Sequence, residues 1–197
     1  MPPEVKEGRG SRGRIGVYLH ASAVNVSGGA LLFLGHSTAG KSTIGRLLAE
    51  RYPLIADDKV LVSRMDDGCW MVRDASGKFR AWTGTGYPLG RRRYPLLAVV
   101  RIFKARAVTM HPLGQRETCR YLLDAVFEND FQRRVSDLRV RKDWFRMTAA
   151  ISRGIAGWRL TFPKSKSIIT AIREIFEGRL AADAAAGSWM RVHKRMI

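Results

Sequence analysis

Gly35-His36-Ser37-Thr38-Ala39-Gly40-Lys41-Ser42 fits the pattern GxxxxGK[ST] without a mismatch. The glycines allow the backbone to curl so that successive N–H groups point inward at phosphate oxygens. A lysine at position 41 suits the β and γ phosphates of a nucleotide, and the Ser42 hydroxyl suits Mg²⁺. Gly35 through Thr43 is therefore the candidate nucleotide-binding segment. Asp57 and Asp58 follow after one helix-length of chain. In isolation an Asp-Asp pair reads as a turn or a helix cap. Behind such a loop it reads as phosphotransfer chemistry, one carboxylate approaching Mg²⁺ and the other accepting the proton of an attacking hydroxyl. In that chemistry the protein contributes chiefly positioning and charge stabilisation. His20 is a third candidate, on a strand that pairs naturally with Ala30–Gly35 and so comes near the base of the loop.

These residues need a framework. Ile15–Val26 reads as a strand, Ser27-Gly28-Gly29 as a turn and Ala30–Gly35 as a short, fully apolar strand of the buried kind. A helix is expected from Ser42 to Arg51, with Ile44, Leu47 and Leu48 at helical spacing and Pro53 as its stop. Leu54–Ala56 is a short strand that delivers Asp57 and Asp58 at its C-terminal end. Neighbours on an extended strand face opposite ways, so both can serve one site only if the strand ends and turns there. Asp66-Asp67-Gly68 splits "VLVSR" from "CWMVR" as a hairpin, and Phe79–Gly90 is irregular. Pro95–Phe103 is a second buried-type strand, with "AVTMHPL" as its partner. Helices are expected over Gln115–Phe127 and Phe131–Ile151, a strand over Gly157–Phe162 and an amphipathic helix over Ser167–Phe176. The whole is an α/β domain, a mixed sheet with flanking helices, spanning residues 15–178 between a basic, flexible N-terminus (1–14) and a C-terminal tail (179–197).

Composition narrows the class. Lys and Arg number 35 against 17 Asp and Glu, a formal net charge of +18, so the chain should attract anions. Its longest apolar runs are far too short to span a bilayer, and "MPPEVKEGRGSRGR" lacks the apolar core of a signal peptide. A cytoplasmic location is expected. Cys69 and Cys119, with no CxxC or Cys/His cluster, argue against a structural zinc site or a disulfide framework.

Three segments in order, "LHASAVNV", "GHSTAGKST" and "LIADDKVLV", resemble the catalytic domain of bacterial HPr kinase/phosphorylase and its shorter HPr kinase-like relatives. His20 lies 21 residues before Lys41, and Asp58 lies 17 after it, the spacing that family leads one to expect. The match is specific over Gly16–Val62. The resemblance implies a P-loop domain akin to phosphoenolpyruvate carboxykinase, in which the loop follows a β-hairpin. It also implies ATP- and Mg²⁺-dependent phosphorylation of a serine hydroxyl. Carried over by position, Gly35, Gly40, Lys41 and Ser42 hold nucleotide and metal, Asp58 is the general base, and Asp57 and His20 support it, Asp57 on the metal side. Family members often form homo-oligomers. The family's glycine- and glutamate-containing signature has no acidic counterpart in "RAWTGTGYPLGRRRYPLLAVV". This favours the short relatives, among them kinases of the C-terminal serine of lasso-peptide precursors, over phosphorylation of HPr itself.

Other readings stand beside that one. A non-catalytic nucleotide-binding regulatory module would use the same loop, and HPr(Ser) kinase remains an alternative. Nucleic-acid binding is suggested by the charge and by Arg91-Arg92-Arg93 near Trp82, Tyr87 and Tyr94. No RNP, KH, zinc-finger or helix-turn-helix pattern accompanies them, so a nucleic-acid partner is not expected. The arginine run could instead bind an acidic acceptor, which makes Arg91, Arg92 and Arg93 the candidate substrate-binding residues. No NKxD-like segment supports a GTPase.

Overall fold

In a computed structural model the chain is described over residues 16–75, 92–130 and 136–178. The N-terminus, Phe79–Gly90 (the stretch expected to be irregular) with Trp82 and Tyr87, Arg91, Phe131 and the C-terminal tail lie outside the described residues. The elements are β1 (Gly16–Val26), β2 (Gly29–Leu34), α1 (Lys41–Ala49), β3 (Leu54–Arg64), β4 (Trp70–Asp74), β5 (Tyr94–Lys104), β6 (Thr109–Leu113), α2 (Gln115–Asp130), α3 (Leu138–Gly154), β7 (Ala156–Phe162) and α4 (Ser167–Ile172). A π-helical turn, Arg173–Glu177, continues α4.

The strands form one mixed sheet in the order β2-β1-β3-β4-β5-β7-β6, and β2 also pairs with β5. The first five strands thereby close into a ring, and β7 and β6 extend from β5. Ser27 and Gly28, at φ 49° and 93°, make the tight β1–β2 turn, where a glycine relieves the steric penalty of positive φ. β2, β5 and β7 run parallel. Their C-terminal ends therefore gather on one side of the molecule, the side on which open α/β sheets build their sites.

Both faces of the sheet are apolar, as buried strands require. One face carries Leu19, Leu32, Val60 and Val99 and packs Leu122 and Val126 of α2 and Met147 and Ile151 of α3. The other carries Leu31, Phe33, Val100 and Leu160 and packs Ile44 and Leu48 of α1 and Ile168 and Ile172 of α4. Among the described residues no helix is long and apolar enough to cross a membrane.

β6, expected to partner β5, pairs instead with β7, which lies between them. Several expected boundaries also differ. The strand expected to stop at Ala56 runs on to Arg64, merging with "VLVSR". Antiparallel pairing with β1, from Leu54 opposite Val24 to Ser63 opposite Gly16 with one register shift at Ala23/Val24, carries two aspartates through a strand that their propensity disfavours. The second long helix begins at Leu138, where the Asp137 side chain accepts from the N–H groups of Arg139 and Val140 and caps it. The first long helix extends three residues beyond Phe127, to Asp130.

Candidate functional site

The loop leaves the C-terminal end of β2 and enters α1 directly. Gly40 is the N-cap residue at φ 103°, and Thr38 is also left-handed at φ 69°. No side chain caps α1, and its first turn holds no acidic residue. The helix's first N–H groups and its positive end are thus left to an external anion. Gly35 is needed for space, because a Cβ there would lie 2.7 Å from the Ala39 Cβ.

Sheet register brings the other candidates to this loop. Phe33 of β2 stands opposite Ser22 of β1, and Ser22 stands opposite Asp57 of β3. Ala21 stands opposite Asp58 and His20 opposite Lys59, so His20 and both carboxylates lie beside the loop's root. A cleft of 410 Å³ results, lined among others by His20, Ser37, Thr38, Lys41, Asp57 and Asp58. Gly40, Ser42 and Thr43 also line it, whereas Gly35, His36 and Ala39 do not.

Both aspartates reach the cleft although β3 does not end there. Pairing of β3 with β4 starts only at Val60, so Asp57 and Asp58 have a strand partner on one edge alone among the described residues. Their surroundings differ. Asp57 is half-buried and its Oδ1 accepts from the Ser22 hydroxyl at 3.2 Å. It also faces α1: a Cβ on Gly45 would lie 3.7 Å from that oxygen and 2.8 Å from the Ser22 Oγ. Asp58 is 49% exposed, with His20 Nδ1 3.1 Å from its Oδ1. Gly45→Ala is accordingly expected to lower unfolding stability by about 1–3 kcal/mol by wedging α1 from β1 and β3. Thermal denaturation measures it, and an unchanged midpoint would mean that α1 does not rest on Ser22.

Lys41 is almost fully buried, 8% exposed. Its ammonium donates to the Gly35 and His36 carbonyls. Burial pulls its pKa below the ordinary lysine value of 10.5, and the nearby Glu128 carboxylate opposes that shift.

Three charged residues of this region were not among the sequence candidates. Lys104, at the end of β5, and Lys164, just past β7, line the cleft because parallel strands end together. Glu128 of α2 stands behind the loop, its Oε1 3.2 Å from His36 Nδ1 and its Oε2 3.6 Å from Lys41 Nζ. One signal for Glu128 was in the sequence. Arg101 interrupts the apolar run Leu96–Phe103, and a buried cation demands compensation. Arg101 is 2% exposed, lies over the Tyr121 ring at 4.7 Å, and is depressed by burial against the opposing charges of Asp124 and Glu128.

Arg92 and Arg93 do not line this cleft. They precede β5, whereas Lys104 ends it, a separation of roughly 30 Å along an extended strand. Arg92 lies over the Tyr94 ring at 5.3 Å, and Arg93 donates to the Met65 sulfur at 3.2 Å. Arg92 and Arg93 therefore lie toward the opposite end of β5 from Lys104, because the strand that follows them carries the chain away.

No group of three or more His, Cys, Asp or Glu side chains positioned to hold a metal exists among the described residues. The oxygens of Ser42 and Asp57 do suit Mg²⁺, which keeps several waters and is usually held by one or two protein oxygens together with substrate phosphates.

No family model matches the chain, and no curated protein does. Among solved structures it is similar to the HPr(Ser) kinase/phosphatase from Coxiella burnetii, at 11% identity and a TM-score of 0.47, over 84% of this chain and 97% of that one.

Proposed function

We propose that the protein is a phosphotransferase that binds Mg·ATP at the Gly35–Thr43 loop and transfers the γ-phosphoryl group to a serine hydroxyl of a peptide or protein. The observation that carries this reading is the meeting of Lys41 and Ser42 with Asp57, Asp58 and His20 around one cleft. Asp58 takes the proton as the serine oxygen attacks the γ phosphorus, the bond to the β,γ-bridging oxygen breaks, and ADP leaves. His20, beside the Asp58 carboxylate, positions it. Ser42 and Asp57 would hold Mg²⁺, which when bound neutralises charge on the β and γ phosphates. Lys104 and Lys164 add positive charge for the phosphoryl group in flight or for an acidic acceptor.

The acceptor reading favoured by the sequence is a small peptide, the C-terminal serine of a lasso-peptide precursor being its sharpest form. Label transfer from γ-labelled ATP into a size-fractionated lysate tests both levels. Label on a small peptide is expected, and its rate of appearance must fall by about 10²–10⁴-fold with Asp58→Asn. Label on a protein would overturn the peptide acceptor. Absence of transfer with retained ATP binding would overturn the enzyme.

A further inference from the structure

Glu128 comes from α2, which does not line the cleft, yet its carboxylate reaches the two loop residues with ionisable side chains. Oε1 meets His36 Nδ1 at 3.2 Å and Oε2 approaches Lys41 Nζ at 3.6 Å, an ion-pair distance too long for a hydrogen bond. Oε2 is buried and has no hydrogen-bond partner. A carboxylate oxygen in that position is poorly satisfied, and an unmade bond of that kind costs free energy. Arg101 adds a second cation that acts on the same carboxylate and on Lys41. Around Glu128 the protein thus assembles the surroundings of a bound anion: a buried ammonium, an imidazole and a buried guanidinium, at the root of the loop.

From this we infer that Glu128 is a positioning residue that serves as an internal stand-in for phosphate. It balances Lys41 while the loop is empty and is displaced when a phosphate chain arrives. The inference rests on the loop being a nucleotide site. Two anions cannot share the Lys41 ammonium in a poorly solvated place without strong repulsion. A phosphate chain that claims Lys41 must therefore compete with the Glu128 carboxylate. The arrangement keeps a buried lysine charged in the empty protein and makes phosphate affinity weaker than the loop alone would allow. A ligand that seizes Lys41 releases Glu128 and His36 together, so loop and α2 respond to the same event.

Glu128→Gln removes the charge and keeps the shape. Binding of inorganic pyrophosphate and of ATP, measured by titration calorimetry on the full chain, should tighten by about tenfold, the size of a modest coupling between ligands that compete for one cation. The ligand-free variant should melt at a lower temperature than the wild type, and saturating ATP should narrow that gap. Glu128→Asp, which withdraws the carboxylate by one methylene, should show the same signs with smaller changes. A residue that merely supports the fold would lower the melting temperature without tightening either ligand, so unchanged or weaker binding overturns the inference. If wild type and Lys41→Ala both fail to bind ATP and pyrophosphate, the nucleotide reading itself falls and the inference with it. Should Glu128→Gln fail to fold, the aspartate variant decides on the same criteria.

Discussion

Lys41→Ala is expected to weaken ATP binding by about 10²-fold or more, the scale for truncating one partner of a buried charge pair. The side chain is 8% exposed and is held by the Gly35 and His36 carbonyls, so its ammonium is already positioned against the loop before any ligand binds. Alanine also leaves Glu128 without its lysine, and an unbalanced carboxylate would then face incoming phosphates. Binding in Lys41→Ala/Glu128→Gln should therefore recover part of the loss. The pH dependence follows from the depressed lysine. Because burial lowers its pKa in the free protein, ATP affinity should begin to fall at a pH below the ordinary lysine value of 10.5. Bound phosphate favours the charged form, so the decline continues until pH passes the higher pKa of the complex. For folding the sign is opposite: the unfolded chain holds the Lys41 proton more tightly, so this residue's penalty is relieved as pH rises between its folded and unfolded values. Calorimetric titration of both proteins across pH measures the binding effect. Equal ATP affinity with and without Lys41 would remove the loop from nucleotide binding.

The sequence was most informative where a local pattern carries the chemistry. Glycines at 35 and 40, a lysine and a serine at the start of a helix, and an apolar strand before them reflect backbone requirements that few other residues satisfy. Those features identified the loop and the β1–β2 hairpin ahead of it. The continuity of β3 was less legible, because aspartates in a strand are tolerated only through pairing with β1, a non-local fact. The closure of β2 onto β5 was invisible for the same reason: Ala30–Leu34 and Leu96–Arg101 meet across more than sixty residues. For Glu128 the sequence held only the indirect signal of a cation, Arg101, in a buried strand, since its relevance comes from α2 crossing behind the loop. The place of Arg92 and Arg93 was not legible, because charge along a chain says nothing about direction in space. Lys104 supplies a cation at the cleft because β5 ends there, and Arg92 and Arg93 do not because they precede the strand's start.

Differences between the two adjacent carboxylates lead to the second large effect. Asp58→Asn is expected to leave ATP binding nearly intact while cutting phosphoryl transfer by about 10²–10⁴-fold, the usual contribution of a positioned general base. Asparagine preserves size and most polar contacts but cannot take the serine proton. Asp58 is the better base on geometry, because it is open to the cleft and paired with His20 rather than engaged by a hydroxyl donor. Asp57 is held by Ser22 and turned toward α1, the helix that carries Ser42. Asp57→Asn should therefore raise the Mg²⁺ concentration needed for half-maximal transfer, whereas Asp58→Asn should lower the rate at saturating Mg²⁺. Comparing the two variants over a Mg²⁺ series separates the roles. If Asp57→Asn takes the larger loss at saturating metal, the assignments exchange. If transfer survives both changes, neither carboxylate is the base, and the proton must leave by way of the phosphate itself.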